Sequence, residues 1–282
     1  MSQKNKSKKW LKGIISVILS FLLAVIFTVG SIVIGIYIGF MNENRLLDGL
    51  NYKDYYSSVE KSFYEKSKDI SIPVGLPETV LEGIVESEKV HSDVKSYVVS
   101  SMNGQTFIIS TEELKNKLEE NVRKYFSEQN IVMTPEQEAT IPEYTNIIAA
   151  EYEAAVKVPL VTYFNQAKLI IQKVILILVP VSILLAAIII FILVRMRKWK
   201  HRGIRYVVYS CISTAIMVAI PGIVMLSGGV YKRINIASDY LYYALVKYIS
   251  NGLWVFIYLS IVWIALAVSM LFLIRFMKHY KN

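Results

Sequence analysis

Residues Ile14 to Met41 read IISVILSFLLAVIFTVGSIVIGIYIGFM and include no charged residue. A helix needs about 20 mostly apolar residues to cross a hydrocarbon core about 30 Å thick. Lipid offers the backbone no hydrogen-bond partner, so an apolar run of this length must satisfy its peptide groups internally, as a helix does. The run therefore predicts a transmembrane helix.

Three further runs have the same character, Val174–Val194, Tyr206–Tyr231 and Ser250–Ile274. Four such runs predict an all-α membrane protein with four transmembrane helices. The first run is longer than the roughly 7–15-residue core of a cleaved signal peptide, and no A-x-A-like site follows it. We therefore expect it to be an uncleaved signal anchor.

The polar segments differ in charge. Residues 1–13, 195–205 and 275–282 carry basic residues and no Asp or Glu, whereas residues 42–173 carry 21 acidic and 14 basic residues, a net charge of −7. Short loops rich in Lys and Arg stay in the cytoplasm. The pattern predicts a multi-pass plasma-membrane protein with both termini cytoplasmic. The formal net charge of +9 then reflects topology and does not indicate nucleic-acid binding, whose pattern is a basic patch on a folded domain.

The predicted organisation follows the chain from end to end. Its segments are a basic cytoplasmic N-terminus (1–13), the first span (14–41), an extracytoplasmic helical domain inserted between the first and second spans (42–173), the second span (174–194), a basic cytoplasmic loop (195–205), the third span (206–231), an outer amphipathic connector (232–249), the fourth span (250–274) and a cytoplasmic tail (275–282).

Hydrophobic spacing in the domain at 42–173 is mostly helical. Apolar residues from Tyr52 to Phe63 recur at three- and four-residue steps, which is the spacing of one helix face. We expect a second helix with Pro77 in its first turn. A third helix is predicted from Ser87 to Asn103, with Gly104 as its natural stop.

Local signals also predict where later helices begin and end. Ser110–Glu113 and Thr134–Gln137 have the spacing of N-terminal capping boxes, and Pro159 is expected to end or kink the helix that precedes the second span. Ser238-Asp239 indicates a helix start in the outer connector. The apolar stripe that follows favours a helix on the outer membrane surface or under the domain, or a simple amphipathic linker helix. Its residues are Tyr240, Leu241, Ala244, Leu245, Tyr248 and Ile249.

The order of these motifs resembles a known group of proteins. The motifs are Asn51-Tyr-Lys-Asp-Tyr-Tyr56, Gly75-Leu-Pro-Glu-Thr-Val-Leu-Glu82, Asn103-Gly104, Ser110-Thr-Glu-Glu-Leu-Lys115 and Met133-Thr-Pro-Glu-Gln-Glu138. They resemble uncharacterised four-span integral membrane proteins of Gram-positive, clostridia-like bacteria. The resemblance covers the first span through the second. It implies a helical extracytoplasmic domain on a membrane anchor and carries over no activity and no catalytic residue.

No catalytic, cofactor or metal site is predicted. The sequence has no H-E-x-x-H, P-loop, G-x-S-x-G or C-x-x-C motif, and we expect the protein not to be an enzyme. Cys211, the one cysteine, is expected to pack inside a span. Three acids at four-residue steps, Glu78, Glu82 and Glu86, predict an acidic helix face. That face could contribute oxygen ligands to a cation, but a solvated surface accounts for the same spacing.

The spans carry features that favour helix packing. Ser31, Gly35 and Gly39 form two small-x-x-x-small steps, which permit close helix contact within the bundle or between copies in a homo-oligomer. The intramolecular reading is favoured. We expect kinks at Pro180 and at the Pro221-Gly222 pair, and Trp263, inside the last span, is expected to pack against another helix. The spans hold no ionisable residue except Cys and Tyr, which lowers the odds of ion-coupled transport.

Two functional readings remain open, besides a less supported outer-surface enzyme. In the first, the lipid bilayer holds the chain, and the outer domain is a sensor or binding module for a protein or cell-envelope partner. In the second, the chain is a permease-like subunit of an ABC-type export or cell-envelope complex. Such a subunit also has one span, then a large outer domain and then three more spans. That match is one of topology alone, and no nucleic-acid partner is expected in either case.

Overall fold

The structure, a computed structural model, describes residues 3–159, 161–197, 199–235 and 238–279. The described residues form α-helices and short 3₁₀ helices, with no strand among them. The α-helices are α1 (Gln3–Phe40), α2 (Glu43–Leu50), α3 (Tyr55–Ser71), α4 (Ser87–Met102), α5 (Glu112–Glu128), α6 (Pro135–Val156), α7 (Val161–Arg195), α8 (Lys200–Gly228) and α9 (Asp239–His279). The 3₁₀ helices are Ile72–Val74, Glu78–Leu81 and Val230–Arg233. The prediction of an all-helical protein is confirmed for this part of the chain.

Four of the helices are long and apolar enough to cross a membrane. Their apolar segments are Trp10–Phe40 in α1, Tyr163–Arg195 in α7, His201–Gly228 in α8 and Asp239–Lys278 in α9. The predicted second and fourth spans lie within these segments, whereas the predicted first span (14–41) and third span (206–231) extend one and three residues beyond theirs. The chain is therefore compatible with a membrane protein of four spans.

The chain divides into two compact units. The bundle comprises Met1–Arg45, Lys168–Ile234 and Tyr248–Asn282, and the helical domain comprises Leu46–Ala167 and Asn235–Lys247. The domain thus contains the first residues of α9 together with most of the polar segment predicted at 42–173.

An apolar core holds the bundle together. It draws side chains from all four long helices, and its buried members are Leu23, Ala186, Leu193, Val207, Val208, Cys211, Ala267 and Ile274. The expected packing role of Cys211 agrees with this position, because the residue is 1 % exposed. Hydroxyl groups add polar contacts between α1 and α8. The Ser210 hydroxyl donates to the Ser20 carbonyl at 2.7 Å, and the Thr214 hydroxyl to the Ala24 carbonyl at 3.3 Å. Such bonds satisfy polar groups that lipid would leave unpaired.

Helices α3, α4, α5 and α6 build the core of the helical domain. Phe63 of α3 and Tyr152 of α6 meet at its centre, with their ring centroids 5.4 Å apart and both side chains 1 % exposed. Leu118 of α5 and Val94 of α4 are also fully buried. Four amphipathic helices thus bury one shared apolar centre, which is the usual source of helix stability in proteins.

Several predicted helix ends are confirmed. Helix α4 begins at Ser87 and ends at Met102, and Gly104 adopts a φ of 74°. This left-handed conformation is one that glycine adopts without the steric cost of a Cβ. At α6 the capping box is complete, because Thr134 Oγ1 accepts from the Gln137 N–H at 3.3 Å while Gln137 Oε1 accepts from the Thr134 N–H at 2.9 Å. Helix α6 ends at Val156, before Pro159.

Two local predictions are wrong, and a third is confirmed only for the start of its helix. The capping box at Ser110–Glu113 does not form, because Thr111 is the N-cap of α5 and its side chain makes no cap hydrogen bond. The helix expected after Pro77 is a single 3₁₀ turn, Glu78–Leu81, after which Glu82 is extended and Gly83 has a φ of 69°. The predicted connector helix starts at Asp239 as expected, but α9 continues without a break to His279.

Candidate functional site: an apolar pocket in the helical domain

The helical domain has an apolar pocket between α3, α5 and α6. Its volume is about 360 Å³, near the lower end of the ~300–1,000 Å³ range of ligand pockets. That volume accommodates one large apolar side chain or a small molecule. Its lining residues are Ile70, Val74, Leu76, Val122, Phe126, Gln137, Thr140, Ile141, Glu143, Tyr144 and Ile147.

A tight turn after α3 supplies one wall of the pocket. Gly75 ends the 3₁₀ helix Ile72–Val74 with a φ of 79°, a left-handed conformation that favours glycine. The chain then folds back, because the Leu76 N–H donates to the Ser71 carbonyl at 3.1 Å. Leu76 is a buried residue of the pocket lining, whereas Val74, also in the lining, is 61 % exposed.

Helix α6 supplies the opposite wall and most of its polar groups. The Tyr144 hydroxyl and Ser71 Oγ share a hydrogen bond of 2.7 Å, in which either oxygen can be the donor. Burial raises the pKa of the Tyr144 phenol, and the bond to Ser71 opposes part of that rise. Tyr144 is therefore a neutral hydroxyl at ordinary pH and links α6 to the last residue of α3.

One carboxylate of the pocket lining is left without a counter-ion. Glu143 is exposed and forms no ion pair with any described residue, whereas Arg123 of α5 already pairs with Glu119 at 2.9 Å and with Glu138 at 3.7 Å. Ile147, one helical turn after Glu143, is 45 % exposed. The pocket thus combines an apolar interior, an exposed isoleucine and an uncompensated negative charge.

A second cluster of polar side chains is buried between α4 and α6. The Tyr152 hydroxyl donates to Asp93 Oδ2 at 2.7 Å, and Lys89 Nζ lies 3.8 Å from the same oxygen. Burial, followed by the bond to Asp93, raises the pKa of the Tyr152 phenol. The exposed His91 ring lies against the Tyr56 ring in a tilted arrangement, with ring centroids 4.2 Å apart. The Asp93 carboxylate and the Tyr152 hydroxyl thus find their partners inside the domain, which is typical of a structural network.

The predicted acidic helix face is wrong. Glu78, Glu82 and Glu86 do not share a helix, because only Glu78 lies in the 3₁₀ turn. Glu78 forms an ion pair with Lys68, and Glu86 lies 3.7 Å from Lys117 Nζ. Within the described part of the chain, no three His, Cys, Asp or Glu side chains are placed to hold a metal ion.

The small-residue steps of α1 face α9. Ser31 Oγ accepts a hydrogen bond of 2.8 Å from Trp263 Nε1, so the predicted contact of Trp263 with another helix is confirmed. A Cβ added to Gly35 would lie 2.9 Å from the Phe256 ring, and one added to Gly39 would lie 2.8 Å from the Gly252 carbonyl oxygen. All three residues therefore contact a neighbouring helix within the bundle.

The predicted kink positions lie inside helices. Pro180 lies within α7 and Pro221 within α8, and neither helix is interrupted there. A Cβ on Gly222 would lie 3.2 Å from the Leu253 carbonyl oxygen, so this glycine lies at the contact with α9. Bending at the two prolines stays a prediction.

The sequence did not predict the pocket or its unpaired Glu143, because the lining residues come from three helices that are separated along the chain. The one local signal was the pair Pro73 and Gly75, which marks the turn that forms one wall. Comparisons with protein-family models, with curated proteins and with solved structures found no match to this chain. The resemblance to four-span membrane proteins of Gram-positive bacteria therefore stays a prediction.

Proposed function

We propose that this chain is an integral plasma-membrane protein whose helical domain lies outside the cell and binds a partner protein or a cell-envelope component. The observation that carries the proposal is the pocket between α3, α5 and α6, with Glu143 unpaired in its lining. The four long apolar helices support the membrane anchorage. The basic segments without acids support cytoplasmic termini, and hence an outer position for residues 42–173.

The chemistry of the pocket favours one class of occupant. Apolar walls favour an apolar side chain, and the Glu143 carboxylate favours a basic group beside it. We therefore expect the partner to be a protein segment that presents an apolar residue next to a Lys or Arg. The net charge of −7 over residues 42–173 adds a longer-range attraction for such a basic partner.

Photo-crosslinking in intact cells tests the proposal. A photoreactive residue at Ile147, which lies at the pocket and is 45 % exposed, is expected to form a discrete adduct. Glu143→Lys should abolish that adduct by placing like charge beside the partner's basic group. The matched control is Glu120→Lys, since Glu120 is exposed and lies two residues before Val122 on α5, about 200° around the helix from the pocket side.

The control decides between specific and general attraction. The adduct is expected to persist in Glu120→Lys. Equal loss in both variants would indicate only a diffuse attraction to an acidic surface, and an adduct that survives Glu143→Lys would remove Glu143 from the binding site. No adduct from Ile147 in cells that contain the folded protein would count against the binding function itself.

A further inference from the structure

Arg197, in the short segment between α7 and α8, makes an unusual set of contacts. Its Nη2 donates to the Lys12 carbonyl at 3.2 Å, to Ser16 Oγ at 3.0 Å and to the Tyr206 hydroxyl at 2.8 Å. The guanidinium carbon also lies 5.0 Å from the centroid of the Tyr206 ring. These contacts hold the side chain in one place, beside α1 and α8 and near the C-terminal end of α7.

All the acceptors around this guanidinium are neutral. Arg197 forms no ion pair with any described residue, and its Nε is buried without a hydrogen-bond partner. The chain has no acid in residues 1–41 or 174–238, so its neighbours in sequence cannot supply one. Partial burial of a cation without an anion beside it is unfavourable, because hydrogen bonds to neutral groups replace only part of the hydration energy that the cation loses.

The described hydrogen bonds leave donors on two groups that can bind an anion. A guanidinium has five N–H donors, and the three protein bonds all use Nη2, so Nη1 stays available among the described contacts. The Tyr206 hydroxyl accepts from Nη2 and therefore keeps its own proton to donate. A planar guanidinium beside a hydroxyl donor suits the oxygens of a phosphate group.

The position along the chain indicates where that phosphate comes from. Arg197 lies two residues after the end of α7, and Lys12 lies two residues before the uncharged run that starts at Ile14. Both therefore lie where apolar membrane-spanning helices end, which is the depth of lipid headgroups. We infer that Arg197 and Tyr206 bind the phosphate of an anionic phospholipid headgroup at the basic end of the bundle.

Lipid binding by the full-length chain tests this site. The protein is purified in a neutral detergent and titrated with short-chain phosphatidylglycerol or phosphatidylcholine, and bound lipid is counted by native mass spectrometry. We expect a clear preference for phosphatidylglycerol, and Arg197→Gln should weaken its binding about ten-fold, as expected for the loss of one charge-assisted contact. Arg205→Gln is the matched control, because Arg205 is exposed in the same basic region and should change the affinity less than about two-fold.

Further variants keep the test decisive. Arg197→Lys retains the charge without the planar donors and is expected to show an intermediate loss, which still reports on the site if Arg197→Gln does not fold. Equal losses in Arg197→Gln and Arg205→Gln would overturn the inference in favour of diffuse attraction. Unchanged binding in both Arg197 variants would also overturn it. Inorganic phosphate that binds at the site and removes the lipid preference would overturn the assignment to a lipid.

Discussion

At the scale of single residues, the helical domain depends on a buried tyrosine and a buried acid. Tyr152 is 1 % exposed and Asp93 is 9 % exposed, and the bond between them joins α6 to α4. An Asp is rarely buried unless it is paired. The Tyr152 hydroxyl and the Lys89 ammonium group together make this burial tolerable.

Removal of the Tyr152 hydroxyl should destabilise the domain. Tyr152→Phe keeps the ring against Phe63 but deprives the Asp93 carboxylate of its hydrogen-bond donor. We expect the free energy of unfolding to fall by about 1.5–3 kcal/mol, the usual worth of a hydrogen bond to a charged group. Chemical denaturation of the purified chain measures it. Tyr163→Phe is the control, since Tyr163 is 67 % exposed, and an equal change in both variants would contradict the role given to Asp93.

At the scale of helices, two similar sequence patterns have different outcomes. Thr134–Gln137 forms a reciprocal capping box at α6, whereas Ser110–Glu113 does not, because α5 begins one residue later with Thr111 as its N-cap. A one-residue shift moves the Ser110 side chain away from the free N–H groups of the first turn. Sequence spacing therefore predicted both helices correctly, but only one of the two predicted capping boxes forms.

Matched alanine variants separate the two patterns. Thr134→Ala should lower the stability of the domain by about 1 kcal/mol, because it removes the acceptor of the Gln137 N–H. Ser110→Ala should change stability by less than about 0.5 kcal/mol, as is usual for an exposed residue without a specific contact. Thermal or denaturant unfolding followed by circular dichroism compares them, and comparable losses would show that Ser110 caps α5 after all.

Helix contacts in the bundle make a second comparison at this scale. Gly39→Ala would place a Cβ 2.8 Å from the Gly252 carbonyl oxygen, a backbone atom that cannot move alone, and overpacking of this kind costs about 1–3 kcal/mol. Gly30→Ala meets nothing within 4 Å and should be neutral or stabilising by about 0.5–1 kcal/mol. Thermal unfolding in neutral detergent measures both. Equal behaviour of the two variants would remove Gly39 from the contact between α1 and α9.

At the scale of the whole molecule, charge and hydropathy divide the chain in the same places. The apolar segments of four helices separate basic segments without acids from the acidic segment 42–173. This partition favours a basic cytoplasmic face and an acidic outer domain. The two candidate binding positions lie in different parts of this partition. The pocket at Glu143 is in the acidic segment, and Arg197 is in a basic segment.

Cysteine labelling on intact cells tests this orientation. In a variant whose buried Cys211 is replaced by Ala, a cysteine at Gln129 should react with a membrane-impermeant thiol reagent, and one at Arg202 should not. Both positions are exposed in the structure, so differences in labelling report the side of the membrane. Disruption of the cells should make Arg202→Cys reactive as well. The reverse pattern in intact cells would invert the topology and place the helical domain inside.

The sequence by itself determined the properties that depend on neighbouring residues. The uncharged runs long enough to span lipid, the start of α4 at Ser87, the glycine at position 104 that follows its end, and the cap at Thr134 all follow from local composition and backbone preference. The tertiary structure alone decided which distant residues meet. Ser71 with Tyr144, Asp93 with Tyr152, Ser31 with Trp263 and Arg197 with Ser16 are joined only by helix packing, which depends on the summed shape of many side chains. Glu78, Glu82 and Glu86 are the opposite case. Their four-residue spacing predicted one helix face, but the chain turns at Gly83 and the three residues do not share a helix.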